Sequence, residues 1–154
     1  MCYNECHCSS GKPQLLCSYA QYGVQSNPSS NTDLSMMTLF QEGKQISLMD
    51  TKIILEPGYL YLIDFIFLAT PEAYSFMQIT PKINGSLKLL YSFFAPTGSA
   101  SRNASASGSF TIPVIEDSAA VSFNLTYPES VRNIDITGAI SVTALHKITG
   151  SKCR

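Results

Sequence analysis

The side chains richest in chemistry cluster at the start of the chain: Cys2, Cys6, His7 and Cys8, with Cys17 a short way on. Thiolates and imidazoles are soft-metal ligands, and structural zinc is held by four of them in a tetrahedron. Such sites pair their cysteines at short spacing and repeat the pair at a distance, and no second pair follows here. The competing reading is thiols that cross-link neighbouring chains as disulfides in an oxidising assembly, which Cys153 near the other end would join. No cysteine falls between Cys17 and Cys153, so none staples the interior.

Nucleophilic catalysis needs a base beside a serine or cysteine, and the two histidines are His7 and His146. His146 reads as a partly exposed residue of a closing strand, and no G-x-S-x-G elbow is present. Glu56, Asp64, Glu72, Glu116, Asp117, Glu129 and Asp135 fall mostly in loops and form no recognisable acid and base pair. The sequence therefore yields no catalytic, cofactor-binding or metal-ligating residue, no cofactor and no enzyme. Asp64 stands apart because it interrupts the most apolar stretch, where an unpaired carboxylate is costly. It is either a carboxylate on an oligomer axis or ion site, or the partner of Arg102, Arg132 or a backbone donor. Tyr74, Tyr91, Phe93 and Phe94 could line a ligand groove, though such rings are first of all core and interface material. Asn84, Asn103 and Asn124 each open an N-x-S/T sequon.

The elements that must position these groups are strands. Residues 53–70 form an apolar run behind Pro57-Gly58, and a strand apolar on both faces has to be covered on both. From Gln45 onward, short apolar segments recur at 45–49, 52–55, 59–69, 75–83, 86–94, 103–114, 121–127 and 134–147. Asn84-Gly85 between two of them signals a type I′ hairpin, with 86–94 as its return strand. Val121, Phe123, Leu125 and Tyr127 alternate with Ser122, Asn124 and Thr126, so that strand should have one inward and one polar face. Around Gly138 the alternation of the last segment slips, as a bulge would allow. The small residues 103–110 read as a strand closely approached by another backbone, or else as a flexible loop. The fold class is all-β: an antiparallel two-sheet sandwich of roughly eight to ten strands with no substantial helix.

Residues 1–44 read as a polar, cysteine-containing leader, partly ordered at most, with short strands at 15–24 and 36–40; residues 45–154 read as the domain proper. Charged residues are 14% of the chain against an average of about 25%. With a net charge of −1 and 45% hydrophobic residues, part of the surface should be covered by neighbouring subunits. The ten Lys and Arg never adjoin one another, which leaves no footprint for nucleic acid. Glu56, Pro57 and Asp64 break the apolar run, so no membrane insertion is expected. No basic and apolar secretory signal opens the chain.

The ordered phrases LEPGYLYLIDFIFLATPEA (55–73), INGSLKLLYSFFAP (83–96), RNASASGSF (102–110) and SFNLTYPESVRNIDITGAISVTAL (122–145) resemble the C-terminal heads of bacterial collagen-like proteins, including spore-surface, exosporium-type glycoproteins. These heads belong to the tumour-necrosis-factor and complement-head superfamily of jelly rolls, and the resemblance spans residues 46–148. The family opens its central strand with Gly-x-Tyr, whereas here Gly58 is followed by Tyr59 and Tyr61. There is also no Gly-X-Y tract for a collagen stalk. The resemblance implies a homotrimer packed through one sheet, acting as a structural trimerisation head on a bacterial cell or spore surface after cytoplasmic synthesis. Its alternative is a carbohydrate- or receptor-binding module of the same fold. A surface glycan or a coat protein would be the further partner.

Overall fold

The computed structural model describes residues 18–128 and 132–148. Cys2, Cys6, His7, Cys8, Cys17, Glu129 and Cys153 lie outside the described residues. Twelve strands follow one another: β1 (Ser18–Ser26), β2 (Thr32–Asp33), β3 (Met37–Glu42), β4 (Ile46–Met49), β5 (Lys52–Leu55), β6 (Tyr59–Ala69), β7 (Phe76–Ile83), β8 (Ser86–Leu87), β9 (Phe93–Pro96), β10 (Ala104–Val114), β11 (Ala119–Thr126) and β12 (Ile136–Lys147). Every pairing is antiparallel. One sheet runs β10-β6-β12-β1-β3; the other runs β4-β5-β11-β7-β8, with β2 also on β11 and β9 also on β7. The two sheets enclose one core in a jelly-roll sandwich, as the strand-rich sequence leads one to expect.

β6 dominates that core because its odd positions are long and apolar. Tyr61, Ile63, Phe65 and Phe67 are all buried, each worth about 1.5–3 kcal/mol of transfer free energy. The Phe65 and Phe67 rings meet Phe123 of the opposite sheet at centroid distances of 5.3 and 5.8 Å. Tyr61, the second tyrosine after Gly58, is the buried one, and its hydroxyl donates toward the backbone carbonyls of Gln45 (3.1 Å) and Glu56 (2.7 Å). Those bonds hold the Glu56-Pro57-Gly58 corner against the sandwich.

Four expectations change. Among the described residues the sheets already begin with Ser18–Ser26, ahead of the boundary expected near Gln45. Ser18–Ser26 lies between β12 and β3 and buries Ala20, Tyr22 and Val24. Its half-buried alternation, with Gln21 and Gln25 outward, lacks the continuous apolar run that marks β6. The return strand after the Asn84-Gly85 turn is broken in two. Asn84 and Gly85 adopt φ of 50° and 79°, and β8 leaves the ladder after Leu87 for a single 3-10 turn, Leu89–Tyr91, before β9 rejoins β7. The break falls opposite Pro81, whose carbonyl accepts from Lys88 N and whose ring nitrogen has no proton to give on that same edge. Gly138 causes no bulge. The register of β12 on β6 shifts at Leu145 instead, and Gly138 is required because a Cβ there would drive into the Ile66 carbonyl oxygen and stand 2.6 Å from Phe67 Cδ1. Finally, Ser122 and Asn124 on β11 are buried rather than solvated.

The small residues 104–108 do form a strand. Ala104 and Ala106 are buried, and a Cβ on Gly108 would stand 2.6 Å from the Phe65 ring. The aromatic packing of β6 therefore dictates the small inward side chains of β10.

Candidate functional site: the open face of the five-stranded sheet

Even-numbered residues of β6 point away from the core, and because they are also apolar they build a second surface. Strand register extends it into four rows across the sheet. Ser105, Leu68, Thr137 and Gln25 form one row; Ser107, Ile66, Ala139, Gly23 and Met37 the next. Ser109, Asp64, Ser141, Gln21 and Phe40 form the third, and Thr111, Leu62, Thr143, Tyr19 and Glu42 the fourth. Ile66 is 60% exposed and Leu68 46%. On β3 the bulge opposite Gln21 and Tyr22 lays Leu39 over Gly23, and Leu39 is 56% exposed. Tyr19 and Phe40 pack ring to ring at 5.8 Å. The centre of this face is made of Ser, Thr, Ala and Gly, so its relief is low, and among the sixteen residues of the first four strands in those rows the single charge is Asp64.

Asp64 is thus exposed at the middle of the face, between Ser109 and Ser141. Of the pairings considered for it, neither Arg102 nor Arg132 is its partner. Arg102 Nη2 and Arg132 Nε both donate to Glu72 Oε1, at 3.0 and 3.1 Å, at the end of the sandwich. The two-parity apolar pattern of β6 arose from one covered face and one open one, so the carboxylate meets water rather than hydrocarbon in the single chain.

A second apolar surface lies beside the sandwich edge where β10 of one sheet faces β9 of the other. Tyr91 stacks on Phe110 at 4.4 Å and 9°, closing that edge. The neighbouring Leu89, Leu90 and Phe94 are 72%, 88% and 55% exposed, and Phe94 stacks beside Phe76 at 4.9 Å. Of the aromatics singled out in the sequence, Tyr91 belongs to the core margin, Phe93 and Phe94 to this patch, and Tyr74 is exposed at a turn with φ 55°.

The other candidates scatter. His146 is exposed near the end of β12, opposite Leu60. No group of three or more His, Cys, Asp or Glu residues converges among the described residues. No helix among them is long and apolar enough to cross a membrane. The Asn124 sequon is buried, whereas Asn84 and Asn103 are exposed.

One polar cluster escaped the sequence reading. Asp33 accepts from Lys82 Nζ (3.1 Å to each oxygen), Ser122 Oγ (2.9 Å) and Asn124 Nδ2 (3.2 Å). Burial alone would raise its pKa, but the hydrogen bonds from Asn124, Ser122 and Lys82, with the Lys82 charge, hold it below the ordinary carboxylate value. This network pins the crossing segment 27–36 to β11, where Asn31 N and Leu34 N also donate to Leu125 O and Phe123 O. Its partners lie 49 to 91 positions from Asp33, so no local signal could reveal it.

Comparison with known proteins bears on the fold. The PRD1 vertex protein P5 superposes with a TM-score of 0.58 at 13% identity, over 85% of this chain and 99% of that one. Murine APRIL superposes with a TM-score of 0.54 at 13% identity, over 80% and 97% respectively. No family model and no curated protein sequence matches the chain. At these identities the likenesses establish the jelly-roll fold and leave function to the site itself.

Proposed function

We propose that this protein is a non-enzymatic structural head that self-associates as a homotrimer through the open face of its five-stranded sheet, on a bacterial cell or spore surface. The observation that carries the proposal is that face: four strands wide, low in relief, with Ile66 open to solvent and one charge at its centre. Large apolar side chains left open on a sheet face, here Ile66 with the partly exposed Leu62 in the same strand, suit an interface, and the core of an interface is depleted in charge. A three-fold arrangement is heterologous, so two different surfaces must meet. The Leu89, Leu90 and Phe94 patch supplies the second, beside the sandwich edge rather than on the open face. The resemblance of residues 46–148 to collagen-like surface heads supports the bacterial setting.

Absolute mass by light scattering after size exclusion, with reductant present to remove any disulfide ladder, tests the proposal. A mass three times the 16.8 kDa of the chain is expected. A monodisperse monomer at micromolar concentration overturns it and leaves the fold untouched.

A further inference from the structure

We infer that the pocket at one end of the open face binds a neutral saccharide. The pocket holds about 410 Å³, at the small end of the range of about 300–1,000 Å³ typical of ligand sites. It lies where β1 and β6 end and β12 begins, in the row of Gln25, Thr137 and Leu68. The chemistry of its lining is specific. Leu68, 46% exposed, offers an apolar wall of the kind that receives the C–H face of a sugar ring. Around it stand the amides of Gln25 and Asn27 and the hydroxyl of Thr137, which can both donate and accept.

Asp135 is the one charged group in the lining. Its Oδ1 accepts from Asn27 Nδ2 at 3.0 Å, and Asn27 and Asn133 brace each other through side chain and backbone at 3.3 and 3.1 Å. The carboxylate is therefore held in place while Oδ2 takes no hydrogen bond from the described residues. A fixed carboxylate with a free oxygen suits a sugar hydroxyl, because charge-assisted hydrogen bonds are about twice as strong as neutral ones. Ser26 and Thr70 also line the pocket, and their hydroxyl oxygens are themselves shielded and have no hydrogen-bond partner. Unmade bonds of this kind cost about 1–3 kcal/mol each, and here two of them lie under one small cavity.

The companion pocket near Asp33, Lys52 and Lys82, of about 420 Å³, differs in this respect, since Asp33 is already satisfied by three side chains of its own chain. The saccharide inference stands on the pocket alone; because Leu68 and Thr137 also lie on the open face, it requires a subunit contact centred on Ile66 that leaves the Leu68 row uncovered.

The test is saturation-transfer NMR on the full chain with glucose, galactose, mannose, N-acetylglucosamine and rhamnose in turn, followed by amide shifts of the labelled protein. At least one sugar should show transfer with millimolar affinity, and shifts should centre on Gln25, Asn27, Leu68, Asp135 and Thr137. Asp135→Asn keeps an oxygen for Asn27 and should weaken binding about tenfold. Thr137→Tyr, a substitution strands tolerate, should fill the pocket and abolish transfer. Ser47→Ala on β4 should change nothing, and the light-scattering mass of each variant separates a binding defect from an assembly defect. No transfer from any of the five sugars overturns the inference. So do shifts elsewhere on the surface, undiminished binding by Asp135→Asn, or binding of putrescine without binding of any sugar.

Discussion

Replacing Ile66 by Asp discriminates between a face made for another subunit and a face that is merely apolar. Ile66 lies on the open side of β6 and exposes 60% of its surface in the single chain, so it contributes little to folding. Substitution at such a position usually changes stability by about 0.5 kcal/mol or less, with up to about 1 kcal/mol more for the poorer strand propensity of Asp. In an interface the account differs. Fully burying an isoleucine is worth about 1.5–3 kcal/mol, and the open 60% corresponds to roughly 1–2 kcal/mol per copy. Three copies in one trimer lose about 3–5 kcal/mol, a factor of roughly 10² to 10⁴ in the association constant. The new carboxylate adds to this, for it stands two residues from Asp64 on the same face, and burying unpaired charge costs more than losing apolar contact. Ile66→Thr keeps the branched β-carbon, removes most of the apolar area and adds no charge, so it should give the smaller of the two shifts. The assay is light-scattering mass across the micromolar range, with circular dichroism and thermal melting on the same samples. The expected result for Ile66→Asp is a folded monomer. An Ile66→Asp protein that remains a trimer with unchanged concentration dependence refutes the assignment of this face to the subunit contact.

Further substitutions test the packing that carries the face. Gly138→Ala should destabilise by about 3 kcal/mol or more, or prevent folding, because its Cβ meets backbone atoms of Ile66 and Phe67; urea melts measure it, and a loss under about 1 kcal/mol would contradict the close approach. Tyr61→Phe should cost about 1–3 kcal/mol by releasing the carbonyls of Gln45 and Glu56. Tyr22→Phe should be neutral or stabilising, since that buried hydroxyl has no partner and burial pushes its pKa up to about 12. Asp33 should contribute acid sensitivity. Its folded pKa lies below its unfolded value, so its stabilisation is present above about pH 4 and is lost as pH falls through the folded value. Asp33→Asn should therefore be less stable at neutral pH and show a flatter loss of stability as pH falls below about 4.

Much of the fold is legible in the sequence because β6 announces itself. Its odd residues are apolar enough to fix the core, and Asn84-Gly85 fixes the hairpin that follows. The part that is not legible depends on distant partners. Tyr22 and Val24 belong to the core only because β12 arrives beside β1, more than a hundred positions later. Ser122 and Asn124 look solvent-facing in their alternation and are buried because Asp33 crosses over them. The open face was half visible: apolar residues of both parities imply two covered faces. Sequence alone could not say that one of those faces stays open in the single chain. Leu89 and Leu90 read as part of a return strand, and the missing proton on Pro81 turns them outward instead. The end pocket draws on three separate segments and has no signature in any one of them.

The prolines support the proposed association through faces over association through strand edges. β10 ends one sheet and β9 the other, at the same margin of the sandwich, and exposed strand edges invite open-ended pairing. Val114 O accepts from Gly58 N and therefore points toward β6, so by alternation Pro113 directs its donor-less nitrogen to the free edge of β10. Thr97 N donates to Ser75 O across from β7, which likewise sends the nitrogen of Pro96 to the free edge of β9. Both edges at this margin are thereby denied a backbone donor, while Leu89, Leu90 and Phe94 beside them stay exposed. At the opposite margin β3 carries the bulge that twists an edge away from pairing. A chain so poor in charge needs some means of ending its own association. Blocked edges leave side-chain packing of patch on face as the remaining route, and a heterologous contact of that kind terminates when its rotation closes a ring. The Pro96→Val, Pro113→Val double variant restores both donors and should convert a closed assembly into polydisperse, thioflavin-positive aggregates; a variant that stays monodisperse would show that the edges were never the hazard.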